Sequence, residues 1–558
     1  MTKNLLQVKN LTVSIGSEAG KINIVDNISF NIRRGETFVL LGESGSGKSI
    51  TALSIMRLLP AAIKINAGEV ILNDKNLFQL PENKMREVRG ANIGMIFQEP
   101  QTSLNPVLTA GQQISETLHQ HTNLSNNQCI ARSVELLDAV GIPEPERRIN
   151  EYPHQFSGGM KQRIMIAIAL AGDPDLLIAD EPTTALDVTI QAQVLELLRK
   201  LQRKTNMSIL FITHDIAVAS QMADHIAVMK DGSIVETKNK EDLFSNPEHE
   251  YTLKLFSAIP SWEKREKEGG IEKIDHIGDK RLLKVKNLKV HYPIRKGIFK
   301  RTVGYVRAVD DVTVDLYAGE TVAVVGESGS GKTTMGKGIL QLLEVTSGDV
   351  SYQKTNLNTL DALSLRKIRT DIQIVFQDPY SSMNPRMMIN DIIQEGMLAQ
   401  GIGKSKKERD ENTIMLLEQV GLTPEHRYRY PHEFSGGQRQ RICIARALAV
   451  KPKLIICDEP TSALDVSVQA QILSLLKNLQ KEYQLGYLFI THNISVVEYI
   501  AHYVAVMYKG KIVEQGSVEE ILKNPKNSYT KKLLSAVPRV ELTPVSYTHL
   551  TLPTILLV

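Results

Sequence analysis

The segment ETFVLLGESGSGKS at residues 36–49 gives the clearest indication of the fold, and a near copy, ETVAVVGESGSGKT, occupies residues 320–333. Each begins as an apolar run of strand character, passes through a glycine-rich turn and ends in a lysine and a hydroxyl residue. A strand this apolar is typical of a parallel sheet that is covered on both faces. Because the segment occurs twice, we predict an α/β fold that is built twice.

The two copies belong to a longer internal repeat. FSGGMKQRIMIAIAL at residues 156–170 returns as FSGGQRQRICIARAL at residues 434–448, and the strand-like runs DLLIADEPT and KLIICDEPT each end in an acidic pair. The two SGG serines, and likewise the first acids of the two pairs, are 278 positions apart. No net insertion or deletion therefore separates the two halves over this stretch.

The repeat predicts the domain boundaries. We place the first domain at residues 1–260 and the second at residues 282–540. Residues 261–281 are charged, contain a glycine pair and lack apolar periodicity, so we interpret them as a linker. We interpret residues 541–558 as a tail of doubtful origin, because residues 545–558 match nothing at the end of the first half.

Composition argues against several classes of protein. The 558 residues carry a net charge of +4 from 66 basic and 62 acidic side chains, which gives no reason to expect nucleic-acid binding. A membrane helix needs about 18 consecutive apolar residues, and no apolar run in the sequence approaches that length. Membrane association is therefore expected only through partner proteins. Cys129, Cys443 and Cys457 share no close spacing, and we expect neither a disulfide framework nor a metal cage.

Both glycine loops match the pattern G-x-x-x-x-G-K-[ST]. In this pattern backbone amides hold phosphates, the lysine reaches the outer phosphates and the hydroxyl binds magnesium. We therefore predict Lys48 and Lys332 as the phosphate-binding lysines, and Ser49 and Thr333 as metal ligands. The alternative is a flexible strand-to-helix turn, which two occurrences in the same strand–loop–helix context disfavour.

The acidic pairs predict further parts of the same site. Asp180 and Asp458 end apolar strands, where open α/β sheets place their ligands, and suit an outer-shell contact to magnesium. Glu181 and Glu459 follow directly and are placed to polarise an attacking water. An acidic pair after a strand is by itself more often a solvated turn or a helix cap, but a neighbouring phosphate loop favours the functional interpretation.

Each half also repeats a glutamine and a histidine. Gln98 and Gln377 follow an apolar strand, and His214 and His492 follow another. A lone histidine after a strand is more often structural than catalytic. Its recurrence in the same context favours a catalytic role.

With this set of motifs the sequence resembles the nucleotide-binding subunits of ATP-binding cassette (ABC) transporters, over residues 1–260 and 282–540. The resemblance implies two tandem ABC-type P-loop NTPase domains, each with a RecA-like core, a β subdomain and a helical signature subdomain. It implies ATP and Mg²⁺ as cofactors and ATP hydrolysis coupled to transport. It also implies that the SGG helix of one cassette binds the γ-phosphate of the ATP held by the other, so that the two cassettes pair within the chain.

The residues implied for the site are carried over by position. The catalytic residues implied are Glu181, Glu459, His214, His492, Gln98 and Gln377. The metal-binding residues implied are Ser49, Thr333, Asp180, Asp458, Gln98 and Gln377. The nucleotide-binding residues implied are Gly42, Glu43, Ser44, Gly45, Ser46, Gly47, Lys48, Ser49, Gly326, Glu327, Ser328, Gly329, Ser330, Gly331, Lys332, Thr333, Tyr292, Ser157, Gly158, Gly159, Ser435, Gly436, Gly437 and Gln438.

The two halves differ at one signature position. Met160 stands where the family usually has a glutamine, as Gln438 does in the second half. This residue follows the amide donors, so we expect a quantitative effect at most. Both halves keep the glutamate and the histidine, and we expect both sites to hydrolyse ATP.

Four segments indicate a sub-family. QEPQTSLNP and QDPYSSMNP, with NPEHEYTLKLFSAIP and NPKNSYTKKLLSAVP further on, resemble the oligopeptide, dipeptide and nickel import group. Many members carry a cysteine-rich C-terminal segment suited to an iron–sulfur cluster; this chain lacks those cysteines, and we predict no cluster. Fused cassette pairs occur among importers of glutathione and of modified peptides, and the architecture is similar to theirs.

The resemblance also implies partners and a location. It implies two integral-membrane permease subunits, an indirect link to an extracytoplasmic solute-binding protein, and a position at the cytoplasmic face of the inner membrane. No nucleic acid is expected. A nickel or sugar importer ATPase stays an alternative, whereas a ribosome-binding translation factor would need a longer helical linker and a DNA-repair cassette would need cysteine clusters.

One difference between the halves predicts unequal nucleotide affinity. Tyr292 stands where the family usually stacks an aromatic ring on adenine, and Ile15 holds that position in the first half. Stacking of a base on an aromatic ring is worth on the order of 1–3 kcal/mol. Tyr292→Ala should therefore weaken binding of a non-hydrolysable ATP analogue to a separated second half by about tenfold or more, and Ile15→Ala should matter less in the first. Calorimetric titration tests this, and equal affinities of the two halves would contradict it.

Overall fold

A computed structural model describes residues 4–17, 20–184, 186–270, 281–296, 301–462 and 464–538. Two compact units divide the chain, the first within Met1–Leu186 and Ile190–Ser257 and the second within Asp187–Thr189 and Ala258–Val537. Residues 271–280 of the predicted linker and the predicted tail, residues 541–558, lie outside the described residues. The domain boundaries given by the repeat stay predictions.

The first half alternates strands and helices. Its strands are β1 (Asn4–Ser17), β2 (Gly20–Arg33), β3 (Thr37–Leu41), β4 (Ile63–Leu72), β5 (Lys75–Asn76), β6 (Ile93–Ile96), β7 (Leu176–Asp180), β8 (Ser208–Thr213), β9 (His225–Lys230) and β10 (Ser233–Asn239). Its helices are α1 (Lys48–Met56), α2 (Glu82–Ala91), α3 (Pro100–Ser103), α4 (Ala110–His121), α5 (Asn126–Ala139), α6 (Pro145–Arg148), α7 (Gly158–Leu170), α8 (Val188–Thr205), α9 (Ile216–Met222), α10 (Lys240–Ser245) and α11 (Glu250–Ser257).

The second half repeats the pattern after one additional helix, α12. Its strands are β11 (Arg281–Lys296), β12 (Arg301–Tyr317), β13 (Thr321–Val325), β14 (Ser347–Tyr352), β15 (Thr355–Asn356), β16 (Ile372–Val375), β17 (Leu454–Asp458), β18 (Gly486–Ile490), β19 (Tyr503–Tyr508) and β20 (Lys511–Ser517). Its helices are α12 (Trp262–Lys267), α13 (Lys332–Ile339), α14 (Ala362–Ile368), α15 (Ile389–Gln400), α16 (Lys406–Gln419), α17 (Gly436–Leu448), α18 (Val466–Tyr483), α19 (Ile494–Ile500), α20 (Val518–Lys523) and α21 (Ser528–Ser535).

Each half contains a four-stranded and a six-stranded sheet with matching strand orders. In the first half the orders are β2-β1-β4-β5 and β10-β9-β3-β8-β7-β6; in the second they are β12-β11-β14-β15 and β16-β17-β18-β13-β19-β20. The smaller sheets are antiparallel, and the larger ones are parallel except for the edge pairs β9–β10 and β19–β20. The predicted α/β fold, built twice, is confirmed.

The apolar runs identified in the sequence are the central strands. Every residue of β3, β7 and β8 is buried, as is every residue of β13, β17 and β18. In the first half one apolar cluster contains Val8 of the small sheet, Ile55 of α1 and Ile178 of the large sheet. Helix α1 is therefore fixed between the two sheets, and the glycine loop that precedes it is fixed with it.

Two further observations concern the whole of the described chain. None of its helices is long and apolar enough to cross a membrane. The free cysteines Cys129, Cys443 and Cys457 are all buried.

The stretch predicted as a linker contains a short helix that packs on the second unit. Ser261 accepts a hydrogen bond from Lys264 N and begins α12. Trp262 lies against the apolar cluster that holds Val497 of α19 and Val518 of α20. Residues 258–270 are thus part of the second unit rather than a free connection.

His502, just before β19, lies beside this helix. Thr321 N donates to His502 Nδ1 over 3.0 Å, and Thr321 O accepts from His502 N, also over 3.0 Å. Burial, with a smaller contribution from the charge of Arg265, lowers the pKa of His502 from 6.5 to about 4. The His502 imidazole is therefore neutral in the folded protein at neutral pH.

This lowered pKa predicts that the second unit loses stability in mild acid. Between pH 6.5 and about 4, His502 binds fewer protons in the folded state than in the unfolded chain. Its contribution to the free energy of unfolding is therefore complete above pH 6.5 and declines below it, by at most about 1.4 kcal/mol per pH unit. His502→Asn keeps an acceptor for Thr321 N and removes the titration, so its stability should fall less with pH. Urea unfolding at pH 7.5 and pH 5, followed by the fluorescence of Trp262, the one tryptophan of the chain, measures this. Identical pH dependence in variant and parent would contradict it.

Candidate functional site

Parallel strand pairing brings the predicted residues of the first half to one edge of the large sheet. Strands β6, β7, β8 and β3 run parallel, so their carboxyl ends meet at that edge. The glycine loop at residues 42–49 follows β3, and Asp180 is the last residue of β7. Gln98 lies just beyond β6 and His214 just beyond β8. The second half places its counterparts in the same way after β13, β17, β16 and β18.

The lysine of each glycine loop is buried and held by its own loop. Lys48 is 4% exposed, and its Nζ donates to the carbonyl oxygens of Gly42 over 2.9 Å and Glu43 over 2.8 Å. Lys332 is 5% exposed and has the same two contacts with its own loop, over 2.7 and 2.9 Å. Burial lowers the pKa of Lys332, although the acidic side chains around it oppose the shift. A buried ammonium needs such partners, and phosphate oxygens suit it equally well.

Two glycines of the first loop show why it has this composition. Gly47 has φ 100°, and a Cβ there would lie 2.8 Å from Ile24 O, so only glycine lets α1 begin this close to β2. Gly45 has φ 81°, and a Cβ there would meet nothing within 4 Å. The loop therefore packs against β2 at Gly47 and leaves open space at Gly45, where a phosphate group can enter.

A hydroxyl and a carboxylate meet next to each lysine. Ser49 Oγ donates to Asp180 Oδ1 over 2.9 Å, and Thr333 Oγ1 donates to Asp458 Oδ1 over the same distance. Burial raises the pKa of Asp180 to about 6, the charge of Glu181 adds to this, and the Ser49 hydrogen bond opposes it. Burial likewise raises the pKa of Asp458. This pair of oxygen donors is of the kind that Mg²⁺ prefers.

The predicted catalytic glutamate of the first half is held by three side chains. Gln98 Nε2 donates to Glu181 Oε2 over 2.9 Å, and Thr184 Oγ1 donates to the same oxygen over 3.0 Å. His214 Nδ1 lies 3.1 Å from Glu181 Oε1. Burial raises the pKa of Glu181, but His214, Thr184 and Lys48 outweigh it, and the net pKa is lowered. The side chain is therefore a carboxylate at neutral pH.

The second half holds its glutamate with two of these three contacts. Gln377 Nε2 donates to Glu459 Oε2 over 2.9 Å, and His492 Nδ1 lies 3.2 Å from Glu459 Oε1. Ser462 Oγ, in the position of Thr184, donates instead to the backbone oxygen of Glu459 over 3.1 Å. Burial again raises the pKa, and His492 with its neighbours lowers it overall. The Thr184 contact was not predicted, and the only signal for it was the change from TALD to SALD.

Both glutamates have a left-handed backbone. Their φ angles are 46° at Glu181 and 48° at Glu459. This region costs a non-glycine residue roughly 1–2 kcal/mol. The amides are nevertheless pinned, since Glu181 N donates to Ile212 O over 3.0 Å and Glu459 N donates to Ile490 O over 2.9 Å. Each carboxylate is thus aimed by the neighbouring strand as well as by its side-chain partners.

The SGG motifs begin helices α7 and α17, and the two starts differ by one hydrogen bond. Ser157 Oγ accepts from Met160 N, and Ser435 Oγ accepts from Gln438 N, each over 3.4 Å. In α17 the Gln438 side chain also accepts from Ser435 N over 3.1 Å, which completes a capping box. The Met160 side chain has no amide oxygen and cannot accept the equivalent hydrogen bond from Ser157 N. The expectation that Met160 has a quantitative effect stays a prediction.

The predicted adenine-stacking position differs in exposure between the halves. Tyr292 on β11 is 40% exposed and pairs with Val306. Ile15 on β1 is half-buried and pairs with Ile22 and Ile63. The Tyr292 side chain is thus partly accessible, and the stacking role stays a prediction. The predicted completion of each site by the SGG helix of the other half also stays a prediction.

Comparisons with known proteins give a consistent result. A family model described as ABC transporter matches residues 25–184 and 309–462. A second, described as the C-terminal region of oligopeptide/dipeptide transporters, matches residues 235–280 and 513–545.

Curated relatives match along almost the whole chain. Glutathione import ATP-binding protein GsiA of Shigella boydii serotype 4 is 47% identical over 569 residues, covering 96% of this chain and 90% of the relative. GsiA of Escherichia coli strain K12 has the same identity and coverage.

A solved structure matches a smaller part of the chain. The dimer of the ATP-binding cassette MJ0796 with ADP and Pi is 32% identical, covers 42% of this chain and 98% of its own, and has a TM-score of 0.39.

The geometry predicts the result of removing both carboxylates. Glu181→Gln combined with Glu459→Gln keeps the glycine loops intact but removes the carboxylates predicted to orient water, so ATP hydrolysis should fall by ~100-fold or more while ATP binding persists. Each single change should also lower turnover. Phosphate release and retention of labelled ATP after gel filtration measure the two effects. Glu87→Gln, an exposed change on α2, is the matched control, and parental turnover in the double variant would show that the glutamates are misassigned.

Proposed function

This chain belongs to the ABC transporter family, and we propose that it drives the import of glutathione or a closely related small peptide. It is an ATPase of the peptide-import type, with two cassettes in one chain. The observation that supports the solute most directly is the 47% identity to glutathione import ATP-binding proteins over 96% of the chain. The match of both halves to the oligopeptide/dipeptide C-terminal region supports a peptide over a sugar.

The residues at the sheet edge suggest how hydrolysis proceeds. Lys48 and Lys332, released from their own loop carbonyls, would neutralise the outer phosphates. Glu181 and Glu459 would accept a hydrogen bond from the attacking water and orient it in line with the γ-phosphate. Their lowered pKa makes them weak bases, which suits orientation of water better than removal of its proton before attack.

The glutamine and the histidine that contact each glutamate would hold its carboxylate in a fixed orientation. Gln98 and Gln377 lie just beyond a strand and donate to one carboxylate oxygen, while His214 and His492 contact the other. A carboxylate held at both oxygens is pre-organised and needs no rearrangement when ATP binds. Loss of either neighbour should therefore lower kcat more than it raises KM.

Magnesium fits the same edge. Ser49 with Asp180, and Thr333 with Asp458, would hold it together with the phosphates, and Gln98 and Gln377 would lie within its reach. Bound there, it supplies positive charge that offsets the charge developing on the phosphates.

The import function implies membrane partners. We infer that the chain binds two integral-membrane permease subunits at the cytoplasmic face of the inner membrane, and that an extracytoplasmic binding protein delivers the solute to them. The SGG helices α7 and α17 would each complete the ATP site of the opposite cassette, so that both cassettes close on two ATP molecules.

Reconstitution tests the proposed solute. The chain is co-expressed with the permease pair and binding protein encoded beside its gene, and the complex is placed in lipid vesicles. Glutathione-loaded binding protein should stimulate ATP hydrolysis several-fold and drive glutathione accumulation, and the double glutamate-to-glutamine variant should do neither. Stimulation by nickel or a sugar, without any response to peptides, would contradict the proposed solute, and co-sedimentation of the chain with ribosomes would contradict import.

A further inference from the structure

Helix α12 places a buried arginine at the end of α19. Arg265 is 6% exposed, and its Nη1 donates to the carbonyl oxygens of Glu498 over 3.0 Å and Ala501 over 2.9 Å. The last carbonyls of a helix have no partners within the helix, and a cation there also interacts favourably with the helix dipole. Arg265 therefore caps α19 from outside the cassette core.

The same helix is bound to a second element. Glu268 directly follows α12, and its Oε2 accepts from Tyr499 Oη over 2.6 Å and from Lys477 Nζ over 3.1 Å. Tyr499 belongs to α19 and Lys477 to α18. Burial raises the pKa of Glu268, but Tyr499 and Lys477 lower it overall, so the contact is ionic at neutral pH. The segment thus ties α18 and α19 together.

Both of these helices begin at the candidate site of the second half. Helix α18 follows the SALD loop, and α19 begins two residues after His492, where the N-cap Asn493 Oδ1 accepts from Ser495 N over 3.0 Å. With seven residues, α19 is about 10 Å long, so movement of its far end is carried to His492. His492 in turn lies 3.2 Å from Glu459.

The chemistry of Arg265 argues for a specific contact rather than general burial. Burial lowers its pKa, and within the described part of the chain its Nε has no hydrogen-bond partner. An apolar side chain would fill this position without that penalty. The two carbonyl contacts and the stacking of the guanidinium on Trp262, 4.7 Å from the ring centroid, are what an arginine adds.

In the sequence, the repeat offset places no arginine at the counterpart of Arg265. The residue 278 positions after Arg265 is Thr543, and Pro544 follows it. Position 502, beside Arg265, is a histidine, whereas the corresponding residue of the first half is Asp224, which accepts from Thr37 N over 2.8 Å. Within the residues that the structure describes, this arginine contact belongs to the second half.

We propose that Arg265 is a positioning residue for ATP hydrolysis in the second cassette, and that it acts by fixing α19 and through it the His492–Glu459 pair. The segment that joins the cassettes in sequence would thereby set the turnover of one of them. The proposal rests on the proposed roles of His492 and Glu459.

Kinetics and hydrogen exchange of the full chain test it together. Arg265→Ala should lower kcat by about three- to tenfold and change KM by less than about twofold, because the phosphate loop is untouched. Amide exchange should accelerate in α19 and stay unchanged in α9, the corresponding helix of the first half. Arg265→Lys keeps the charge and one donor group, and should recover part of kcat. Glu263→Ala, an exposed change on the same helix, is the control and should match the parent.

The outcomes separate this inference from the proposed function. If Arg265→Ala unfolds the second unit, seen as loss of amide protection throughout that unit, Arg265→Lys decides by the same two measurements. Parental kcat and unaltered α19 exchange in a folded Arg265 variant would overturn the inference, provided that Glu459→Gln lowers turnover. Parental turnover in Glu459→Gln would instead overturn the proposed catalytic role. A fall in thermal stability with unchanged kcat would show that Arg265 is structural only.

Discussion

Hydrogen bonding between parallel strands is the constraint on which both sites depend. Asp180 at the end of β7 pairs with Ile212 of β8, and Glu181 N bonds to the same residue's carbonyl oxygen. A slip of one residue in this register would turn Asp180 to the opposite face of the sheet and separate it from Ser49. The glycine loop, the predicted metal-binding pair and the carboxylate proposed to orient water are therefore brought together by the same strand pairing.

The part of the site that could be predicted from sequence is the part fixed by strand ends. The positions of Lys48, Asp180 and Gln98 follow from apolar runs that must be central strands, and the repeat confirms the fold by giving the same pattern twice. Contacts made by single side chains were not predictable. Thr184 donates to the carboxylate of Glu181, whereas Ser462 in the same position donates to backbone, and the change from threonine to serine does not by itself predict this difference.

Helix α12 was missed for a different reason. Residues 261–270 carry no apolar stripe, and the usual sign of a packed helix is that stripe. The helix is held by one tryptophan, by the buried stem and head of Arg265, and by the carboxylate of Glu268, which are side chains that a periodicity argument counts as polar surface. A charged segment between two repeats can thus belong to one of them.

The left-handed glutamates have a consequence for the history of the chain. At φ 46° or 48°, glycine or asparagine is less strained than glutamate. Some random substitutions at Glu181 or Glu459 would therefore stabilise the fold and at the same time remove the carboxylate. After a gene fusion or duplication, a cassette released from selection would drift in that direction before its core changed. Both halves still carry glutamate at this strained position, which is the sequence expected if neither cassette has become a passive scaffold for the other.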